Sequence, residues 1–163
     1  MKSTTKDYLD LVGIAAVILS LLFVALEIRQ SNRIAIADSE TAFRTRVIEL
    51  QSRVIENDEL AAALVKLRNR DSEITPIENE KVYSWVLSSQ TNWRSVEAAF
   101  RNGLVSEQTM NIVLATPRSV LGKYPGLEPY FRQIADDFGM TPDNSLIWQS
   151  IFRELNSSEI ASE

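Results

Sequence analysis

The sequence predicts an all-α protein. An N-terminal transmembrane helix continues into a long helix, and a small helical bundle follows. Three observations predict this. Residues 11–26, LVGIAAVILSLLFVAL, carry no charge and no proline. Between Gly13 and Gly103 the only helix breaker is Pro76. No stretch alternates apolar and polar residues over the length of a strand.

A helix rises ~1.5 Å per residue, and the hydrocarbon core is ~30 Å thick. Residues 11–26 are therefore a little short, and adding Ile28 at one end and Tyr8-Leu9 at the other gives the usual span of ~20 residues. Asp10 and Glu27 then fall near the two interfaces, and Tyr8 suits the headgroup level. A cleaved signal peptide and a buried helix of a soluble domain are the alternatives. Ala35-Ile36-Ala37 has the A-x-A cleavage form, but it lies well beyond Leu26, and Arg29 and Arg33 intervene. Lys2 and Lys6 precede the span, whereas Arg29, Arg33, Arg44 and Arg46 follow it. The bias predicts a single-pass protein of the cell inner membrane with a cytoplasmic C-terminal part.

Residues 1–33 form the anchor and juxtamembrane segment, 34–156 one helical domain and 157–163 a polar, frayed tail. The chain has 17 Lys+Arg and 22 Asp+Glu, of which four and three precede residue 34, leaving 13 and 19 and a net charge of −6. So acidic a domain is a poor nucleic-acid binder. There is no cysteine and no histidine. That removes disulfides, thiolate metal sites, the commonest general base and the usual pH switch.

After the anchor, Ile36, Phe43, Val47, Leu50 and Val54 fall on one helical face, so the helix is expected to run unbroken to about Glu56. Asn57 or Asp58 caps a short helix, ELAAALVKLRN. Thr75-Pro76-Ile77-Glu78 is a capping box with proline at the first helical position. Its helix should reach Asn102, with Gly103 at C′ and an apolar stripe of Val82, Val86, Trp93, Val96 and Phe100. Ser106 caps EQTMNIVLA, which is expected to stop before Thr116-Pro117. Pro125-Gly126 is a turn, Pro129 sits in the first turn of a helix ending at Gly139, and Thr141-Pro142-Asp143 opens the last helix.

Little in the chain suggests catalysis. Asp136 and Asp137 are neighbours and point to different sides of a helix. Ser3-Thr4-Thr5-Lys6 has the S-x-x-K form but lies at a terminus. Asn156-Ser157-Ser158 fits the glycosylation rule, which does not apply to a cytoplasmic end. There is no Gly-rich phosphate loop and no metal-ligand spacing, so no catalytic residue, metal or cofactor is assigned, although a two-carboxylate site built from separate helices stays open. Gly13, Ala16 and Ser20 share a small-residue face suited to helix packing in lipid. Arg29 and Arg33, four apart, are placed for lipid headgroups. Ile36 and Phe43, near the bilayer, are candidates for a partner surface. Ser88-Ser89-Gln90-Thr91-Asn92 interrupts the apolar helix before Trp93. A solvated face is the plain expectation, and a small pocket with Gln90, Asn92 and Trp93 the other.

The order of features resembles a widespread bacterial family of small single-pass proteins. The resemblance rests on LEIRQSNRIA at residues 26–35, NDELAAAL at 57–64, TPIENEKVYSWV at 75–86 and W-x-x-x-E-x-x-F-x-x-G-L-V at 93–105. Family members carry an adjacent Trp-Glu and an asparagine in the juxtamembrane motif, where this chain separates Trp93 from Glu97 and has Ser31. The resemblance implies the same topology and no activity. The function expected is a membrane-anchored interaction or scaffold module, or an accessory subunit of a membrane complex. Its expected partners are membrane lipid and either a homo-oligomer or a membrane-complex subunit. A small-ligand sensor or carrier is the alternative, and a carboxylate enzyme ranks last.

Overall fold

The structure is a computed structural model that describes residues 3–70 and 73–160, with side chains described between residues 8 and 157 of that range. Every regular element in it is helical: α1 Ser3–Glu56, α2 Asp58–Arg68, α3 Pro76–Arg101, α4 Glu107–Lys123, a 3₁₀ turn Pro125–Leu127, α5 Glu128–Asp137 and α6 Leu146–Ile160. The Ser3-Thr4-Thr5-Lys6 side chains lie outside the described ones.

α1 is a single helix of 54 residues, about 80 Å long at the standard rise. It contains the one described helix that is long and apolar enough to cross a membrane, and its apolar window is bare of protein contact. Every residue from Tyr8 to Ile34 is exposed. Cover begins at Ala35, and the expected stripe of Ile36, Phe43, Val47, Leu50 and Val54 is half-buried throughout. The lower half of α1 is thus a strut of the bundle, with a bare stalk at residues 29–34 above it.

The caps explain where the helices begin. The Asn57 side chain accepts from the Leu60 amide at 3.1 Å. The Thr75 hydroxyl accepts from the Glu78 amide, and the Glu78 carboxylate accepts from the Thr75 amide at 2.8 Å, completing the capping box. At the other end of α3 the Gly103 amide reaches Phe100 and the Leu104 amide reaches Ala99, with Gly103 at φ 70°. This double closure needs a left-handed residue, which glycine adopts without strain.

Two boundaries differ from the sequence expectation. α4 continues through Pro117 to Lys123. Proline removes one intrahelical donor, but Pro117 is fully buried and Val120 and Leu121 beyond it pack on the core. Tertiary packing outweighs the local penalty of about 3 kcal/mol. The last helix starts at Leu146, because Ser145 is its cap: the Ser145 hydroxyl accepts from the Trp148 amide. Thr141-Pro142-Asp143 instead forms a turn closed by the Asn144 amide on the Thr141 carbonyl at 3.2 Å. α6 also runs on to Ile160, into the segment expected to be frayed.

The core lies between α2, α3, α4, α5 and α6, around Leu64, Val82, Val86, Val113, Phe131, Ile134 and Trp148. Trp93 stacks on Phe131 with centroids 6.1 Å apart and planes within 9°. The 3₁₀ turn seats against α2 so closely that a Cβ on Gly126 would lie 2.7 Å from the Leu67 carbonyl oxygen and 3.0 Å from the Leu67 Cα. Backbone cannot yield as a side chain can, so Gly126→Ala is expected to cost about 1–3 kcal/mol in urea unfolding. An unchanged midpoint would show that this turn does not press on α2.

Candidate functional site: the polar seam between the long helix and the bundle

Three glutamates, each at the start of a helix, fasten the bundle. Glu40 of α1 reaches the start of α4, accepting from the Ser106 hydroxyl at 2.6 Å, the Thr109 hydroxyl at 2.9 Å and the Ser106 amide at 3.3 Å. The Ser106 hydroxyl leads these donors in holding the Glu40 carboxyl below its ordinary range. Glu78, at the head of α3, pairs with Lys66 of α2 at 2.8 Å. The Lys66 ammonium and then the Thr75 amide draw its pKa down to about 2.

Glu97 is the most enclosed of the three, at 4% exposure. It accepts from the Ser145 hydroxyl, from the Leu146 amide at 2.9 Å and from the Ile147 amide at 3.4 Å, with Arg101 at 2.6 Å. Burial pushes its carboxyl up, but the hydroxyl, the two amides and Arg101 together outweigh burial and hold it below the ordinary range. A carboxylate at a helix N-terminus meets unpaired N–H groups and the positive end of the dipole. The W-x-x-x-E spacing therefore serves packing: Trp93 enters the core and Glu97 captures α6.

The polar run of α3 is not the solvated face expected of it. Ser89, Gln90 and Asn92 are buried, at 6%, 2% and 6% exposure, while Thr91 is exposed. Two flanks result. Gln90 lies seven residues before Glu97 on one flank. Trp85 and Asn92 lie seven apart on the other, toward α1. A groove of about 440 Å³ runs along that second flank, between Arg46, Glu49 and Arg53 of α1 and Ser88, Asn92 and Ser95 of α3. Arg46 donates to the Ser95 hydroxyl at 3.1 Å, which itself donates to the Asn92 carbonyl at 2.7 Å. Among the described residues, neither polar atom of the Asn92 side chain has a partner, nor do Trp85 Nε1 and Gln90 Nε2.

Of the pocket that was the alternative to a solvated face, then, Asn92 lines the groove, while Gln90 faces the other flank and Trp93 belongs to the core. Phe43, expected to be free for a partner, packs against the chain's own core, and Ile36 is half-buried. Gly13, Ala16 and Ser20 are exposed, and the Ser20 hydroxyl donates to the Ala16 carbonyl at 2.8 Å. That bond satisfies the hydroxyl inside its own helix. Arg29 and Arg33 project from the bare stalk. Asp136 and Asp137 are exposed, and Asp137 accepts from the Tyr83 hydroxyl at 2.9 Å. Among the described residues, no group of three or more Asp or Glu side chains is placed to hold a metal ion. The roles of Glu40 and Glu97 were missed in the sequence because their partners are 66 and 48 residues away.

Comparison with protein families, with curated proteins and with solved structures returns no match to this chain.

All three carboxyls are held below their ordinary range. Such groups stabilise the fold above that range and lose the contribution as pH falls through their folded values. The protein in detergent is therefore expected to weaken as pH drops from about 5 toward 2. Glu97→Gln should cost about 1.5–3 kcal/mol at neutral pH, and the gap from the parent should close at low pH. A gap that stays constant between pH 7 and pH 3 would contradict the charged seat.

Proposed function

We propose that the protein is a membrane-anchored helical interaction module, either a scaffold or an accessory subunit of a membrane complex, without catalytic activity. The observation that supports this best is α1 itself. One helix carries a bare apolar half and a half built into the bundle, so the domain is rigidly joined to its anchor. In this reading the span lies in the cell inner membrane and the bundle in the cytoplasm, following the arginines behind the span. Arg29 and Arg33 on the stalk meet lipid phosphates. Membership of the bacterial single-pass family belongs to the same proposal.

A second reading, a small-ligand sensor or carrier, is favoured by one observation. The Asn92 amide, buried in the groove wall, has a donor and an acceptor unmet among the described residues. A guest of that site would be polar and small. A library of polar metabolite-like compounds should then raise the melting temperature of the parent but not of Asn92→Leu.

Alkaline carbonate is expected to leave the chain in the membrane pellet, and a C-terminal alkaline-phosphatase fusion to stay inactive. Gentle detergent should bring down a second copy or a defined partner with it. Release into the carbonate supernatant would refute the anchor, and an active fusion would refute the orientation. A lone monomer in every mild detergent would refute the scaffold.

A further inference from the structure

We propose that the face of α1 turned away from the bundle is a parallel, in-register contact with a second copy of this chain. The proposal deepens the anchored-module reading and rests on it, because a shared membrane is what sets two copies parallel and at equal depth.

Ile34, Ile48 and Ile55 are 54%, 62% and 80% exposed. They fall on a strict seven-residue repeat, with Thr41 in the remaining place. Seven residues fall only ~20° short of two turns, so the four share one face. The bundle covers the opposite side, through Ile36, Phe43, Val47, Leu50 and Val54. The same repeat extends back through Glu27, at the expected membrane surface, to Ser20 and Gly13. Its chemistry changes where the helix is expected to leave lipid. Isoleucines suit contact in water, where burying apolar area drives association. Small residues suit contact in lipid, where that drive is absent and close backbone approach replaces it. A Cβ on Gly13 would touch nothing within 4 Å, and a left-handed supercoil of the two helices would take up the drift of ~20° per repeat between Ile55 and Gly13.

Charge complementarity selects a second copy as the occupant. In a parallel pair of helices each repeat position meets its own counterpart, and a flanking residue faces the one five places further along the partner. Arg44 and Glu49 are five apart, on opposite flanks of Ile48, of opposite sign and both exposed. Neither forms an ion pair among the described residues; within the chain Arg44 acts on Glu40 only as a more distant charge, and Glu49 sits at the edge of the groove toward α3, between that groove and the outer face. Two copies in register would place each Arg44 against Glu49 of the other, twice by symmetry. A repeat of self-matching positions with a self-complementary charge pair is what an isologous contact requires.

The chain has no cysteine, so single cysteines report the contact directly. In lipid vesicles under mild oxidation, Thr41→Cys and Ile48→Cys should form disulfide-linked dimers, and the exposed Gln108→Cys only background. In the Ile48→Cys chain, Arg44→Glu should lower the dimer yield several-fold, and adding Glu49→Arg should restore it. A carbonate wash of the same vesicles separates the two readings. If the chain stays in the membrane while the seam cysteines cross-link no better than Gln108→Cys, the contact is overturned and the anchor stands. If the chain is washed out, the anchor fails and the in-register contact fails with it. Seam cross-links whose loss in Arg44→Glu is not rescued overturn the register.

Discussion

Hydrocarbon offers a peptide group no hydrogen-bond partner, so a chain that crosses it must satisfy each N–H and C=O within itself. α1 meets that requirement over its whole apolar half, and nothing in the sequence ends the helix before Asn57. The consequence reaches far beyond the apolar half. A helix without a breaker carries its direction with it, so the lower half arrives at the bundle with its apolar stripe already oriented. Ile36, Phe43, Val47, Leu50 and Val54 meet the other helices only because no turn or kink resets the phase.

The bundle is then closed largely by carboxylates. Glu40 ties α1 to α4, Glu78 with Lys66 ties α2 to α3, and Glu97 ties α3 to α6. Each is placed at the head of a helix, where unpaired amides and the helix dipole favour a negative charge. This gives an acidic domain a use for some of its surplus charge, and it explains why α6 starts from Ser145, where Glu97 adds to the cap, rather than from Thr141. The seam between α1 and α3 is the contrasting region. There the Asn92 side-chain amide and Trp85 Nε1 are buried without partners among the described residues, Asn92 beside an open groove. Polar groups left unmet cost stability, so what holds α1 to the bundle is Glu40, the apolar stripe and, along this flank, the Arg46–Ser95 hydrogen bond.

Much of the architecture was legible in the sequence because its signals are local. The uncharged run, the Thr75 capping box and the Gly103 C′ position each depend on a few neighbouring residues, and each is found where the pattern put it. What depends on distant contacts was not legible. Pro117 reads as a stop, yet packing on both sides carries the helix through it. Thr141-Pro142 has the form of a start, yet Glu97 makes Ser145 the better cap. Ser88 to Asn92 reads as a wet face, because polarity alone cannot tell that α1 will lie across one side of it. Phe43 was placed outside the bundle for the same reason, since the reach of a domain along a helix is a tertiary quantity.

The central claim is that one uninterrupted helix joins the apolar run at residues 11–26 to the bundle. Pulsed dipolar spectroscopy tests it most directly, with spin labels at Ala25→Cys and Thr45→Cys in vesicles and labelled chain diluted by unlabelled chain. Both residues are exposed and neither touches the core. A continuous helix predicts one narrow distance distribution centred near 30 Å, from the rise of ~1.5 Å per residue. A broad distribution, or one centred well below that value, would mean that the helix bends or unwinds between the apolar run and the bundle and that the two are not rigidly joined.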